Sequence, residues 1–373
     1  MTRFISILIV CLGLSLSAQS AATTVPTLAA RLEALRAEAK LPAVAGATFS
    51  SSSISVSAVG VRRLGDETAV GASDLWHIGS ITKSFTSLLI ARHVERGEMA
   101  WTTTLGELVG ASRAGKFAGV TLSQLLSHRA GLPPNVPPGI MAAVMEGGPA
   151  VAVQRQRILD AVLSGEPAAA PGAAFNYSNL GYIIAGAVIE AKTKKPWEEL
   201  VQTEVLAPLK LTSAGMGAPG TRDMVSQPRG HVRAADGTLT PIEPGPMSDN
   251  PPYLGPAGRL HMTVGDLARW GQLHLRGERG QDGIVRAETF KRLHQPEGTA
   301  TYAMGWVSRP AQSLVEGPAA GGRILFHNGS NTMWYAIVAF DASADRGVVI
   351  VTNGSIGARA AIDAAAWAAM EGK

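Results

Sequence analysis

Leu28, Leu32, Leu35 and Ala39 recur at helical spacing behind Pro26, which predicts an amphipathic helix over 27–40. The period then changes. An apolar run at 43–49, a serine cluster at 50–53 and the alternation Ile54, Val56, Ala58 read as an antiparallel hairpin continuing to about Arg63. Near the other end, 323–327, 333–341 and 347–352 are rich in Val, Ile, Trp, Tyr and Phe between turn residues. Three further strands are expected there, followed by an alanine-rich helix over 358–370. Between the ends the pattern is mainly helical, at 81–96, 121–128, 151–164, 179–192 and 263–276, broken by proline-bearing loops. The implied fold class is α/β: one antiparallel β-sheet built from both chain ends and flanked by helices, with a large, mostly helical inserted region. The expected boundaries are 23–75 and 287–373 for the sheet region and 76–286 for the helical region, with the functional site between them. Segment 241–256 carries prolines at 241, 244, 246, 251, 252 and 256 and no period. Such segments are commonly functional or mobile, and it is expected near the site entrance, a plain surface connection being the alternative.

Residues 1–22 differ in character. One positive charge at Arg3, an apolar run from Phe4 to Leu16 and mostly small residues from Ser17 to Ala22 read as a secretory signal peptide, so a periplasmic or secreted mature protein is expected. The apolar core of about 13 residues is short of the ~20 that a membrane span requires, and no later stretch qualifies. Cys11, the single cysteine, lies inside that run behind Val10, where lipid attachment would need a small residue. Removal of the leader would leave no thiol, which excludes disulfides and cysteine catalysis. The chain has 373 residues, of which 46% are hydrophobic, enough to bury a core as one large domain or two intimately joined ones. A formal charge of +4, with Lys and Arg spread along the chain, gives no footprint for nucleic acid. The expected partner is a small-molecule or peptide substrate, with the oligomeric state left open.

The segment His77-Ile78-Gly79-Ser80-Ile81-Thr82-Lys83 sets a serine at a helix start and a lysine three residues on, so the two side chains share a face. A serine hydroxyl becomes a useful nucleophile when a neighbouring base takes its proton, and a lysine can do so only when neutral. Lowering a lysine pKa from about 10.4 to near 7 costs roughly 4–5 kcal/mol, which burial or a positive neighbour can supply. The spacing alone is common in proteins and leaves the functional and the incidental readings open. Two further segments narrow them: Asn176-Tyr177-Ser178-Asn179, preceded by Pro171-Gly172, and His327-Asn328-Gly329-Ser330 on the first C-terminal strand.

Serine-x-x-lysine, then tyrosine-serine-asparagine, then a basic residue-x-glycine near the end resemble, in order and spacing, the penicillin-recognising serine hydrolases. Within them the chain is most similar to class C β-lactamases and the related D-alanyl-D-alanine carboxypeptidases and esterases. Leu125-Leu126-Ser127-His128-Arg129-Ala130-Gly131-Leu132 looks like the family's leucine-leucine-x-histidine-x-x-glycine segment, and Gly255 to Leu267 is similar to its glycine-rich approach to a later helix. The resemblance implies a β-lactamase/transpeptidase-like fold and an acyl-enzyme on Ser80, with Lys83 taking the serine proton and Tyr177 moving protons to the leaving group and from water. It further implies that Asn179 binds Lys83 and the substrate amide, that Ser80 and Ser330 N–H groups form the oxyanion hole, and that His327, Asn328 and Gly329 line the pocket edge. Asn353 resembles an asparagine that helps bind a substrate carboxylate. His128 is read as structural, shaping a loop beside the site.

One departure matters. His327-Asn328-Gly329 stands where class C β-lactamases carry lysine-threonine-glycine, and a histidine with pKa near 6.5 is mostly neutral at pH 7, so attraction for a substrate carboxylate should weaken. Efficient β-lactam hydrolysis is then the alternative, and a D-alanyl peptide, an ester or a small amide are equal candidates. If His327 titrates normally, KM for carboxylate-bearing substrates should improve as pH falls from about 7.5 to about 6. A non-catalytic penicillin-binding sensor or scaffold is the alternative of another class, although a binder has no need of the whole residue set. Gly110 to Lys116 matches phosphate-loop spacing, but Phe117 replaces the hydroxyl residue and no apolar strand precedes it. No glycine-x-serine-x-glycine elbow is present. The eight histidines show no paired ligand spacing, so neither a catalytic metal nor a cofactor is expected.

Overall fold

The run Ala43–Phe49 is apolar at nearly every position because the strand it forms, β1, is covered on both faces. The computed structural model describes residues 26–145, 150–314 and 322–371; the expected leader at 1–22, with Cys11, lies outside the described residues. After β1 come β2 (Ile54–Gly60), β3 (Leu75–His77), β4 (Gly215–Met216), β5 (Gly230–Arg233), β6 (Leu239–Ile242), β7 (Leu260–Thr263), β8 (Val307–Pro310), β9 (Arg323–Ser330), β10 (Tyr335–Asp341) and β11 (Arg346–Thr352). Six of them form one antiparallel sheet in the order β2-β1-β11-β10-β9-β8. Its centre joins the two chain ends, with β1 and β11 in register from Val44↔Thr352 to Phe49↔Gly347.

Alternation along β10 assigns the faces. Ile337 and Ala339 point to the side covered by α1 (Leu28–Glu38) and, as labelled below, the C-terminal helix, where they meet Leu32 and Ile362. Ala336, Val338 and Phe340 point to the other side, toward Trp270 and the inserted helical region. That region contains α2 (Thr82–Glu95), α3 (Val151–Leu163), α4 (Asn179–Thr193) and α5 (Val264–Glu278), and the chain closes with α6 (Arg359–Glu371). The α/β class and the antiparallel sheet expected from the sequence are both present.

Helix α2 is buried nearly all round, so its polar residues need partners inside the protein. Thr82 and Ser84 hydroxyls donate to the Gly79 and Ile81 carbonyls, each at 2.7 Å, Thr86 donates to Pro256 O at 2.7 Å, and Trp270 Nε1 donates to Ser84 Oγ at 2.9 Å. These bonds fix the helix in rotation as well as in place. Two expected elements differ in extent. The helix predicted over 121–128 ends at Leu126, because the chain turns at His128 with φ 60°. Conversely β9 runs past the predicted 323–327 to Ser330, since β10 continues to pair with it as far as Tyr335↔Ser330.

β8 pairs with β9 only up to Val307↔Phe326, so the outer edge of residues 327–330 lies beyond the last β8 pairing. The turn at Gly79 packs against that stretch backbone to backbone. A Cβ on Gly329 would overlap the Ile78 carbonyl and the Ser80 nitrogen, and one on Gly79, at φ +50°, would overlap the Ser330 nitrogen. Only glycine at both positions allows this approach. Gly329→Ala should therefore lower unfolding stability by about 2 kcal/mol, the scale of overpacking a closed contact, as read from the urea midpoint at constant slope.

Candidate active site

Three separate segments converge in front of β9. Gly79 to Lys83 leaves β3 through one tight turn into α2, which puts the Ser80 side chain at a cavity and the Lys83 side chain one turn deeper, where it is fully buried. The segment before α4 is held by the 128–135 loop. Ser178 N donates to His128 Nδ1 at 3.0 Å, Ser178 Oγ donates to Pro133 O at 2.6 Å, Asn179 N donates to Pro134 O at 2.7 Å, and Asn176 Nδ2 donates to Leu132 O at 2.9 Å. Ser178 also caps α4 by accepting from Gly181 N. His128 is thus a buried, neutral brace, its pKa held well below the usual histidine range by burial, in line with the structural reading of its segment.

Lys83 Nζ lies 2.9 Å from Ser80 Oγ, 2.8 Å from Asn179 Oδ1 and 2.7 Å from Ala257 O. Asn179 is held in turn, its Nδ2 donating to Asn135 Oδ1 at 2.8 Å. None of the three lysine partners is charged. Burial therefore lowers the Lys83 pKa well below its ordinary value and favours the amine. An amine has two N–H groups and one lone pair. The two carbonyl oxygens can only accept, so they take both N–H groups and leave the lone pair facing the Ser80 hydroxyl. Tyr177 moves the opposite way: burial raises its phenol above the ordinary range, so it keeps its proton while hydrogen-bonded to Ser80. The Lys83 nitrogen sits 4.9 Å from the Tyr177 ring centre.

The cavity measures about 450 Å³ and is lined by Ser80, Tyr177, His327, Asn328, Gly329 and Ser330. The sequence-predicted residues Ser80, Lys83, Tyr177 and Asn179 are thus brought together with the 327–330 stretch. Asn353 is not among them. Its side chain is fully buried, with Oδ1 accepting from Ala43 N and Nδ2 donating to Arg62 O, each at 3.1 Å, so it ties β1 to the end of β11 and does not line the cavity. His327 also departs from expectation. Its Nδ1 donates to Asn328 O at 2.5 Å and its Nε2 accepts from the Tyr302 hydroxyl at 3.0 Å, while burial pushes its pKa down to about 3. It is therefore a neutral ring between about pH 6 and about 7.5. The remaining lining residues Phe175, Thr301, Tyr302, Val307, Arg309, Phe326, Tyr335, Ile356 and Arg359 carried no sequence signal for the site: they are scattered over loops, strands and a helix start, and belong to no motif. Among the described residues no group of three His, Cys, Asp or Glu could hold a metal, and no helix is long and apolar enough to cross a membrane.

Two pH effects follow. KM should stay flat between about pH 6 and about 7.5, because His327 does not titrate there, in contrast to the expectation for an ordinary histidine. The kcat/KM of any reaction initiated by Ser80 should be present above the Lys83 pKa and fall as pH drops through it, with the rising limb lying well below the ordinary lysine range. A pH–rate profile checks both, and Lys83→Arg, which keeps its proton, should abolish the rate.

The beta-lactamase family model matches residues 28–370. Penicillin-binding protein 4 of Amycolatopsis lactamdurans is 28% identical over 260 residues, covering 68% of this chain and 64% of that protein. The unguisins hydrolase ungD of Aspergillus violaceofuscus is 30% identical over 247 residues, covering 62% of this chain and 41% of that protein. The aligned part thus spans less than two thirds of either relative. The solved class C beta lactamase from Rhodobacter sphaeroides superposes with a TM-score of 0.71 at 21% identity, covering 92% of this chain and 99% of that one, a likeness of fold. With the match running from α1 into α6, the chain belongs to the beta-lactamase family, a family of the penicillin-recognising serine hydrolases.

Proposed function

We propose that this protein is an exported serine hydrolase that cleaves an amide or ester through an acyl-enzyme on Ser80. The observation that carries the reading is the Lys83 nitrogen, held by the carbonyl oxygens of Asn179 and Ala257 with its third position 2.9 Å from Ser80 Oγ. Ser80 gives its proton to that lone pair as Oγ attacks the substrate carbonyl. The oxyanion then forms between the Ser80 and Ser330 N–H groups, where one donor is typically worth about 3–4 kcal/mol in the transition state. Tyr177, still a phenol, donates to the departing heteroatom and is recharged from Lys83, now an ammonium. The two groups are driven apart in pKa by the same burial, which assigns base to the lysine and acid to the tyrosine. Water then attacks the acyl-enzyme by the reverse proton path. The apolar run at 4–16 supports export.

His327 and Asn328 offer no cation at the third motif, while Phe175, Tyr302, Val307 and Ile356 give the cavity apolar walls. An uncharged ester suits such walls better than a substrate that depends on a fixed lysine. Purified protein and its Ser80→Ala variant should be compared on a short-chain aryl ester, a chromogenic cephalosporin and a D-alanyl-D-alanine peptide, with mass measurement of the acylated protein. The expected result is ester turnover with an adduct on Ser80, a loss of about 10⁴-fold in kcat for Ser80→Ala, and cephalosporin turnover at least about tenfold slower than ester in kcat/KM. Equal rates for the two proteins, or no adduct on any substrate, would overturn the reading in favour of a binding protein.

A further inference from the structure

Segment 241–256 does not sit at the site entrance, for none of its residues lines the cavity in front of Ser80. Two residues at its centre are instead turned into the protein, the Ser248 side chain fully covered and that of Asp249 5% exposed. Three consecutive residues there each hold a different wall. The Ser248 carbonyl accepts from Asn331 Nδ2 at 3.0 Å, and Asn331 Oδ1 accepts from the Met333 and Trp334 nitrogens, each at 3.2 Å, which fixes the chain just after Ser330. Asn250 Nδ2 donates to Gly258 O at 2.7 Å, next to the Ala257 carbonyl that holds Lys83.

Asp249 makes the third connection. Its Oδ2 accepts from Arg259 Nε at 2.7 Å, and its Oδ1 lies 3.0 Å from His77 Nε2. His77 is fully buried, its ring stacked on Trp334 at a centroid distance of 5.9 Å. The other ring nitrogen, Nδ1, accepts from Gly79 N at 3.1 Å. A backbone N–H can only donate, so Nδ1 is unprotonated and Nε2 carries the hydrogen that Asp249 accepts. The carboxylate therefore selects the one tautomer that can hold the Gly79 amide. Gly79 is the positive-φ residue immediately before the nucleophile, and its orientation sets that of the Ser80 N–H and Oγ.

We propose that Asp249 and His77 are positioning residues for the nucleophile, and that the 248–250 segment keeps the Ser80 turn, the Ser330 strand end and the Lys83 carbonyl in mutual register. This rests on the Ser80 acyl-enzyme reading. Neither side chain lines the cavity, so their loss should change the rate of acylation and leave substrate binding nearly as it was.

The test uses the same aryl ester with the full-length protein, Ser80→Ala, Asp249→Ala, His77→Phe and the Asp249→Ala/His77→Phe double variant. His77→Phe keeps a flat ring against Trp334 and removes both hydrogen bonds, so it decides the matter should Asp249→Ala not fold. Each single variant should lose about 30-fold or more in kcat with KM changed by less than about threefold, and the double variant should lose no more than His77→Phe alone. Either folded single variant keeping kcat within about twofold of wild type, additive losses in the double variant, or a loss confined to KM would overturn the proposal. If instead wild type and Ser80→Ala turn over the ester equally, it is the acyl-enzyme reading that fails.

Discussion

A lysine nitrogen closed off from water among neutral acceptors is the constraint on which the rest of this structure depends. Lys83 has no carboxylate among its hydrogen-bond partners, so its charged form would have to survive in the interior on the dipoles of one hydroxyl and two carbonyls. Burial tips the contest toward the amine by lowering the Lys83 pKa well below its ordinary value. That outcome requires α2 to be covered on nearly every side, which explains why the hydroxyls of Thr82, Ser84 and Thr86 are each met by an internal partner. It also requires that the two carbonyls come from elements far apart in sequence: Asn179 at the start of α4 and Ala257 just before β7. A shift of either by one hydrogen-bond length would free an N–H to compete for Ser80 and turn the lone pair away from it.

The second requirement is close approach of main chains. Glycines at 79 and 329 let the nucleophile turn and the β9 strand end touch without side chains between them, which brings the Ser80 and Ser330 nitrogens to one end of the cavity. The early end of β8 leaves the same stretch of β9 open along its edge. Beyond this polar end the cavity is mostly aromatic and aliphatic, and its cations are Arg309 and Arg359 at element ends, not a lysine beside the nucleophile. Arg359 shares its charge with Asp363 at 3.4 Å, whose other oxygen accepts from the Tyr335 hydroxyl at 2.6 Å, so the positive field is offset on the α6 side.

Much of this was legible in the sequence, for identifiable reasons. Runs such as 43–49 and 347–352 are apolar at consecutive positions because both sheet faces are covered, so the strands announce themselves without alternation. Ser80 and Lys83 share a face at one helical turn, but that spacing alone left their role open, and they could be named with Tyr177 and Asn179 only because the three segments together, in order, resemble a known family. The length of β9 was less legible, since His327-Asn328-Gly329-Ser330 is polar and continues as a strand only through pairing with β10.

What the sequence by itself determined is therefore the order of elements and the fold class, which follow from local pattern, and the residues that carry reactive groups, which follow from the resemblance of three ordered segments to a known family. The tertiary structure alone decided their protonation and their partners. His327 is neutral because it is buried beside Tyr302, Asn353 is a tie between β1 and β11 because its side chain is buried against both, and 248–250 is a brace because it meets three walls distant in the chain. Desolvation and hydrogen-bond saturation depend on which atoms surround a group in space, and no spacing along the chain encodes that.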